Sequence, residues 1–245
     1  MRKNDFKTNG IYLAYDHGME HGPTDFNGNS VSPAYVIDIA KKAEVDAMVL
    51  LKGVARNHYK KGIGIPLIVK LNQKTSLYDG EAFSSQTCSV KEAISLGASA
   101  VGYTVYAGSK YEHIMLREFG GIEEEAHKYG LPVIMWSYPR GESVKDDQSP
   151  EVVAYAARVA LEMGADVVKL KYPNDESKLK WVVESAGSTK VFLSGGKAVD
   201  DKTFESIVEK VIKAGFSGIA VGRNVWQSND PIGRIKRIKE IIASS

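Results

Sequence analysis

A chain of 245 residues with 32 basic and 30 acidic side chains has a formal charge of only +2, so neither nucleic acid nor a membrane surface is indicated as a partner. Hydrophobic residues make up 43% and charged ones 25%, the balance of a soluble protein able to bury a large core without staples. The single cysteine, Cys88, excludes a disulfide within the chain and points to a reducing cytoplasm. Residues 1–7 are charged and are not expected to be a signal peptide, and no apolar run reaches the length of a membrane span.

Residues 11–18 are the first strand candidate, followed by a loop over 19–29 rich in Gly, Pro, Asp and Asn. Ser32 and Pro33 mark a helix start, and Val36, Ile37, Ile39, Ala40 and Ala43 carry its apolar face to about Glu44. A second strand over 46–53 leads to a short helix over 55–59. A third strand covers 65–72, and a polar loop covers 73–87. Ser89 caps a helix that stops at Gly97. The fourth strand spans 99–106 and a longer helix spans 110–129, closed by Gly130. The fifth strand is 132–139, followed by a polar loop over 140–148. Ser149 and Pro150 start a helix that stops at Gly164. The sixth strand is 166–173, with a helix over 175–186. The seventh strand is 190–197, with a helix over 201–214. The eighth strand is 217–224, and an amphipathic helix over 231–243 closes the series.

Helix ends repeat weakly: Leu96-Gly97-Ala98, Met163-Gly164-Ala165 and Ala214-Gly215-Phe216 each lead directly into a strand. Alternation of strand and helix implies a parallel sheet. Eight units in a chain of about this length match an α/β fold of the closed (β/α)8 TIM-barrel type. An open doubly wound sheet would carry a Gly-rich loop after the first strand, and Asp16-His17-Gly18-Met19 is not one. No linker divides the chain, so one domain is expected over 1–245.

Barrels of this type keep their chemistry at the C-terminal ends of the strands. Polar residues gather there: Asp16 and His17; Lys52; Lys70 and Asn72; Tyr103, Thr104 and Tyr106; Trp136 and Tyr138; Lys169 and Lys171; Ser194, Gly195 and Gly196; Gly222, Arg223 and Asn224. Lys169 and Lys171 are two apart and share one face of a strand that is otherwise apolar. Buried cations need partners or a task. Both lysines could be paired with carboxylates; alternatively, a lysine beside a second cation can act as a neutral amine that forms a Schiff base with a carbonyl. Ser194-Gly195-Gly196 and Gly222-Arg223 end the seventh and eighth strands, where barrels often hold a phosphate. The glycines let backbone approach an anion, and Arg223 brings a fork of donors. Trp136 and Tyr138 share a face, as a core pair or as a pocket wall with a proton donor. Asp16 is either a turn residue or a carboxylate for a hydroxyl or an amine. No metal site is expected: the five histidines show no ligand pairing, and His17 and His21 with Asp16 and Glu20 make only a weak pattern.

Five motifs in order resemble the archaeal-type class I fructose-1,6-bisphosphate aldolases. They are Asp16-His17-Gly18-Met19-Glu20-His21-Gly22-Pro23, Met135-Trp136-Ser137-Tyr138-Pro139-Arg140-Gly141, Val168-Lys169-Leu170-Lys171-Tyr172-Pro173, Leu193-Ser194-Gly195-Gly196, and Ala220-Val221-Gly222-Arg223-Asn224-Val225-Trp226-Gln227. The resemblance covers about residues 12–227. It implies a (β/α)8 barrel, no metal or cofactor, and cleavage of a phosphorylated sugar to dihydroxyacetone phosphate and glyceraldehyde 3-phosphate in glycolysis and gluconeogenesis. The imine-forming lysine falls on Lys169, the catalytic tyrosine and its neighbouring tryptophan on Tyr138 and Trp136, and the active-site aspartate on Asp16. The phosphate site falls on Ser194, Gly195, Gly196, Gly222 and Arg223, with His17 in the substrate-binding set. Lys171 is expected to depress the pKa of Lys169. Ser109 and Lys110 are candidates for a second phosphate. Homo-oligomers, often decamers, are expected of such proteins.

Two other readings belong beside this one. An aminodideoxyheptulosonate synthase or a thiolase of the same superfamily would share the lysine, the early aspartate and the phosphate loops. A non-catalytic sugar-phosphate sensor would need no nucleophile, so the presence of Lys169, Tyr138 and Asp16 speaks against it.

Overall fold

Eight short runs of aliphatic and aromatic residues form parallel strands in the computed structural model, which describes residues 6–244. They are β1 Gly10–Tyr15, β2 Ala47–Leu51, β3 Leu67–Lys70, β4 Ala100–Val105, β5 Val133–Ser137, β6 Val167–Leu170, β7 Lys190–Ser194 and β8 Gly218–Val221. Each pairs with the next in sequence, and β1 pairs with both β2 and β8, so the sheet closes into a barrel. The expected (β/α)8 architecture is therefore present, with helices Pro33–Lys42, Glu112–Lys128, Pro150–Glu162, Asp201–Lys213 and Pro231–Ser244 among those between or after the strands. The helix starts follow local chemistry. Ser89 Oγ accepts from Glu92 N–H at 3.1 Å, and Ser149 Oγ accepts from Val152 N–H at 3.3 Å, each satisfying a free amide of a first turn. Ser32 makes no such side-chain bond, and its helix begins with Pro33.

Strand alternation creates two apolar cores. Outward residues pack beneath the helices. Inward residues fill the barrel: Tyr12, Ala47, Val49, Ile68, Ile134, Val167 and Phe192. Tyr12 stacks on Phe192 with ring centroids 4.2 Å apart. Moving two residues along a strand from these apolar positions reaches polar ones on the same inward face. Ile68 is followed by Lys70, Val167 by Lys169, and Trp136 by Tyr138. The interior is thus apolar at one end and polar at the strand C-terminal end.

The structure departs from the sequence reading in four places. The loop over 19–29 contains a turn of helix, Gly18–His21, and a 3₁₀ turn, Pro23–Asp25. The loop after β3 carries an antiparallel ribbon, Asn72–Gln73 with Ser85–Gln86. Strand β2 ends at Leu51, and Lys52 begins a helix, where it pairs with Glu92 at 3.4 Å instead of entering the barrel mouth. Strand β8 ends at Val221, and Arg223–Trp226 forms a short helix. Among the described residues no helix is long and apolar enough to cross a membrane.

Candidate active site

Lys169 is the last inward-facing residue of β6 and is only 7% exposed. It pairs in register with Trp136 on β5 and Phe192 on β7, and its Nζ lies over the Trp136 ring, 5.3 Å from the centroid. Among the described residues it has no ion-pair partner within 4.0 Å. Burial depresses its pKa by penalising the ammonium; Asp16 and Glu20 oppose this, and Arg223 adds to it.

Asp16 follows β1 and is 4% exposed. Its Oδ2 lies 3.3 Å from Lys70 Nζ, a lysine on β3 that is equally buried. Gln73 Nε2 donates to the Asp16 carbonyl at 2.8 Å. Burial alone would raise the Asp16 pKa, but Lys70, then His17 and Lys169, hold the carboxyl far below its usual range. Asp16 is therefore an ionised carboxylate in a dry setting.

Trp136 is held by a missing side chain. A Cβ on Gly102 of β4 would lie 1.9 Å from Trp136 Cζ3, so only glycine leaves room for the indole there. Trp136 Nε1 and Thr104 Oγ1 are buried polar atoms without a hydrogen-bond partner among the described residues. Tyr138 donates from its hydroxyl to Ser194 Oγ at 3.1 Å. Burial pushes its pKa well above the usual phenol value, so it rests as a hydroxyl.

The exits of β7 and β8 form one structure. Gly196 has φ +63°, the left-handed region that glycine adopts freely. A Cβ on Gly222 would lie 2.9 Å from both the Ala14 carbonyl and His17 Cε1. Asn224, 1% exposed, donates to the carbonyls of Gly195 (2.6 Å) and Lys197 (2.8 Å) and accepts from Val199 N–H (2.9 Å). Arg223 reaches the Gly196 carbonyl at 3.3 Å and Asp25 at 3.4 Å. Asp25 lies 3.8 Å from His17 Nε2, and His17 stacks on Trp226 with centroids 5.2 Å apart.

Asp16, His17, Trp136, Tyr138, Lys169, Ser194 and Arg223 are thus linked through contacts at one end of the barrel, with Gly195, Gly196 and Gly222 in the same loops. Lys171 requires a correction. It lies beyond β6 in an ion pair with Asp147, so its charge is neutralised locally. The lowering of the Lys169 pKa comes first from burial and then from Arg223, not from Lys171. Ser109 is also otherwise engaged: it is buried and its Oγ donates to the Ala82 carbonyl. Lys110 lines a separate cavity of about 440 Å³ with Lys74, Tyr78 and Phe83. Tyr103 points outward and bonds to Glu118. Cys88 is buried, and burial with Glu92 nearby pushes its thiol up to about 12, which leaves it an inert thiol.

The sequence reading gave no role to Lys70, although a lysine closing an apolar strand is the same signal that marked Lys169. It also missed the Glu20–Arg140 ion pair at 2.8 Å, and Asp25, whose importance depends on contacts far away in the chain.

A family model described as DeoC/LacD family aldolase matches residues 11–228. The chain is 49% identical over 235 residues to the class 1 fructose-bisphosphate aldolase of Thermoproteus tenax, covering 95% of this chain and 89% of that protein. It is 43% identical, over the same shares, to the class 1 fructose-bisphosphate aldolase of Halobacterium salinarum. A solved archaeal fructose-1,6-bisphosphate aldolase, whose catalytic lysine is covalently bound to the carbinolamine intermediate of its substrate, superposes with a TM-score of 0.92 at 47% identity; 96% of this chain and 94% of that chain are covered. With a buried lysine at the end of β6 inside the same closed barrel, this chain belongs to the DeoC/LacD family of aldolases.

Proposed function

We propose that the protein is a metal-independent, class I fructose-1,6-bisphosphate aldolase with Lys169 as its imine-forming residue. One observation carries the assignment to Lys169: a lysine buried inside the barrel, with no carboxylate within 4.0 Å among the described residues and with a depressed pKa. Burial of this kind favours the neutral, nucleophilic amine, at a cost that a purely structural lysine would not repay.

Each remaining role follows from position. Lys169 attacks the C2 ketone and gives a carbinolamine. Tyr138, resting as a hydroxyl, protonates the departing oxygen as water leaves and the iminium forms. Its phenolate then takes the proton of the C4 hydroxyl as the C3–C4 bond breaks and glyceraldehyde 3-phosphate departs. The same hydroxyl returns that proton to C3 of the enamine, and hydrolysis releases dihydroxyacetone phosphate. Asp16, ionised, accepts a substrate hydroxyl. Trp136 Nε1–H and Thr104 Oγ1 are unpaired buried groups suited to further hydroxyls. The backbone of Ser194–Gly196 and Gly222, with Arg223, fits a phosphate, whose binding fixes the reacting carbons in place. Lys171 stays near the mouth, held by Asp147. A cytoplasmic homo-oligomer accompanies this reading. Tyr155 and Trp181, 70% and 43% exposed on adjoining helices, offer large side chains for contacts between subunits.

Borohydride added with fructose 1,6-bisphosphate in the presence of chelator should leave a covalent adduct on Lys169, located by peptide mass. A protein that cleaves the sugar without an adduct, or forms one on another lysine, would refute the assignment.

A further inference from the structure

Two buried lysine nitrogens lie over the Trp136 ring, Lys70 at 5.6 Å and Lys169 at 5.3 Å from its centroid. Only one of them has a carboxylate. Lys70 Nζ sits 3.3 Å from Asp16 Oδ2, whereas among the described residues Lys169 has no acidic oxygen within 4.0 Å. Asp16 nevertheless acts on Lys169 through space: it is the strongest influence favouring protonated Lys169. A carboxylate that closed on Lys169 would hold it as an ammonium, which cannot attack a carbonyl. The carboxylate is anchored away from that contact. Lys70 engages Oδ2, His17 Nδ1 faces Oδ1 at 4.0 Å, and Gln73 holds the Asp16 carbonyl at 2.8 Å.

We propose that Lys70 is a positioning residue: its ammonium engages the Asp16 carboxylate and keeps it from closing on Lys169, which leaves the Lys169 amine free to form an imine. The two lysines on facing parts of the barrel thus divide the work, Lys70 as the partner of Asp16 and Lys169 as the nucleophile. The inference rests on the proposed role of Lys169.

The groups that bear on this pair come from every neighbouring element. Asp16, His17 and Glu20 follow β1, Tyr138 follows β5, Arg223 follows β8, and Lys171 on the sixth-strand exit is engaged by Asp147. Removing the Lys70 charge leaves His17 and Lys169 as the groups that still bear on Asp16.

The test reads Lys169 directly and needs no sugar. Labelling of Lys169 by trinitrobenzenesulfonate is followed against pH, with the labelled peptide quantified by mass. In Lys70→Met the pH of half-maximal labelling should rise by about 1–3 units, the span an opposite charge imposes. Lys70→Arg, which keeps a cation, should return it to the unaltered value. Lys70→Met combined with Asp16→Asn should return it as well, because the intruding carboxylate is gone. Asp16→Asn alone should lower it. An unchanged midpoint in Lys70→Met, or a double variant that stays where the single one lies, would overturn the proposal. If Lys70→Met does not fold, Asp16→Asn decides, and a midpoint that does not move refutes the coupling. Failure of the borohydride experiment with the sugar would count against the enzymatic reading while leaving this titration intact.

Discussion

The Tyr138 hydroxyl donates to Ser194 Oγ at 3.1 Å, and this bond ties the exit of β5 to the last residue of β7, where the Gly195–Gly196 loop begins. In the proposed function this bond would hold the proton carrier and the phosphate loop at a fixed separation, so that phosphate binding would align the sugar carbons with the phenol. Replacing Tyr138 by Phe should lower kcat for sugar cleavage by about 10²–10⁴-fold, the usual contribution of a positioned acid–base group. Steady-state cleavage assays measure this, and an unchanged kcat would assign proton transfer to another group.

Gly102 makes the position of Trp136 possible. In Gly102→Ala the new methyl would meet the indole at 1.9 Å, so the ring must leave its place over Lys169. Overpacking of this kind costs roughly 1–3 kcal/mol. The variant should melt at a lower temperature, show altered tryptophan fluorescence and lose turnover. Full activity with a normal melting point would mean that the ring position is unimportant.

Asn224 carries the shape of the β7 exit. Asn224→Ala leaves the Gly195 and Lys197 carbonyls without their donor and Val199 N–H without its acceptor. These bonds are partly buried, so each lost partner costs at most about 1–3 kcal/mol. The loop should loosen, raising KM for the bisphosphate and weakening inhibition by inorganic phosphate, while kcat at saturation changes less. An effect confined to kcat would place Asn224 in another role.

Lys169 also makes stability depend on pH. Its pKa is lower in the folded protein than in the unfolded chain, so across the interval between the two values the unfolded chain binds more protons. Stability therefore rises with pH through that interval, and the cost of burying the group is fully present below it. Lys169→Met should stabilise the protein at neutral pH by roughly 0.5–2 kcal/mol. The gain should shrink as the solution approaches the ordinary lysine pKa of about 10.4. Urea unfolding at two pH values measures the difference, and a gain that grows with pH would show that folding does not lower the Lys169 pKa.

The barrel was legible because its signals are local. Alternating strands, glycine stops such as Gly97 and Gly164, and the caps at Ser89 and Ser149 act within a few residues of themselves. The pair Lys169 and Lys171 stood out for the same reason, as charges in an apolar run, and only the family resemblance pointed to Lys169 of the two. The Lys171 expectation failed because a two-residue spacing defines a face but not a partner, and Asp147 reaches Lys171 from a loop 24 positions away.

Sequence alone determined the order of the strands, the end of the barrel that holds the polar residues, and the presence of a lysine inside an apolar strand. Only the tertiary structure decided which charges meet. Lys70 finds Asp16, Arg223 finds Asp25 across 198 positions, and Gly102 makes room for Trp136 on the neighbouring strand. The physical reason is one of range. Periodicity and capping are fixed by neighbours along the chain, whereas the pairing of buried charges and the fit of a ring against a glycine depend on register and closure, which exist only once β1 has met β8.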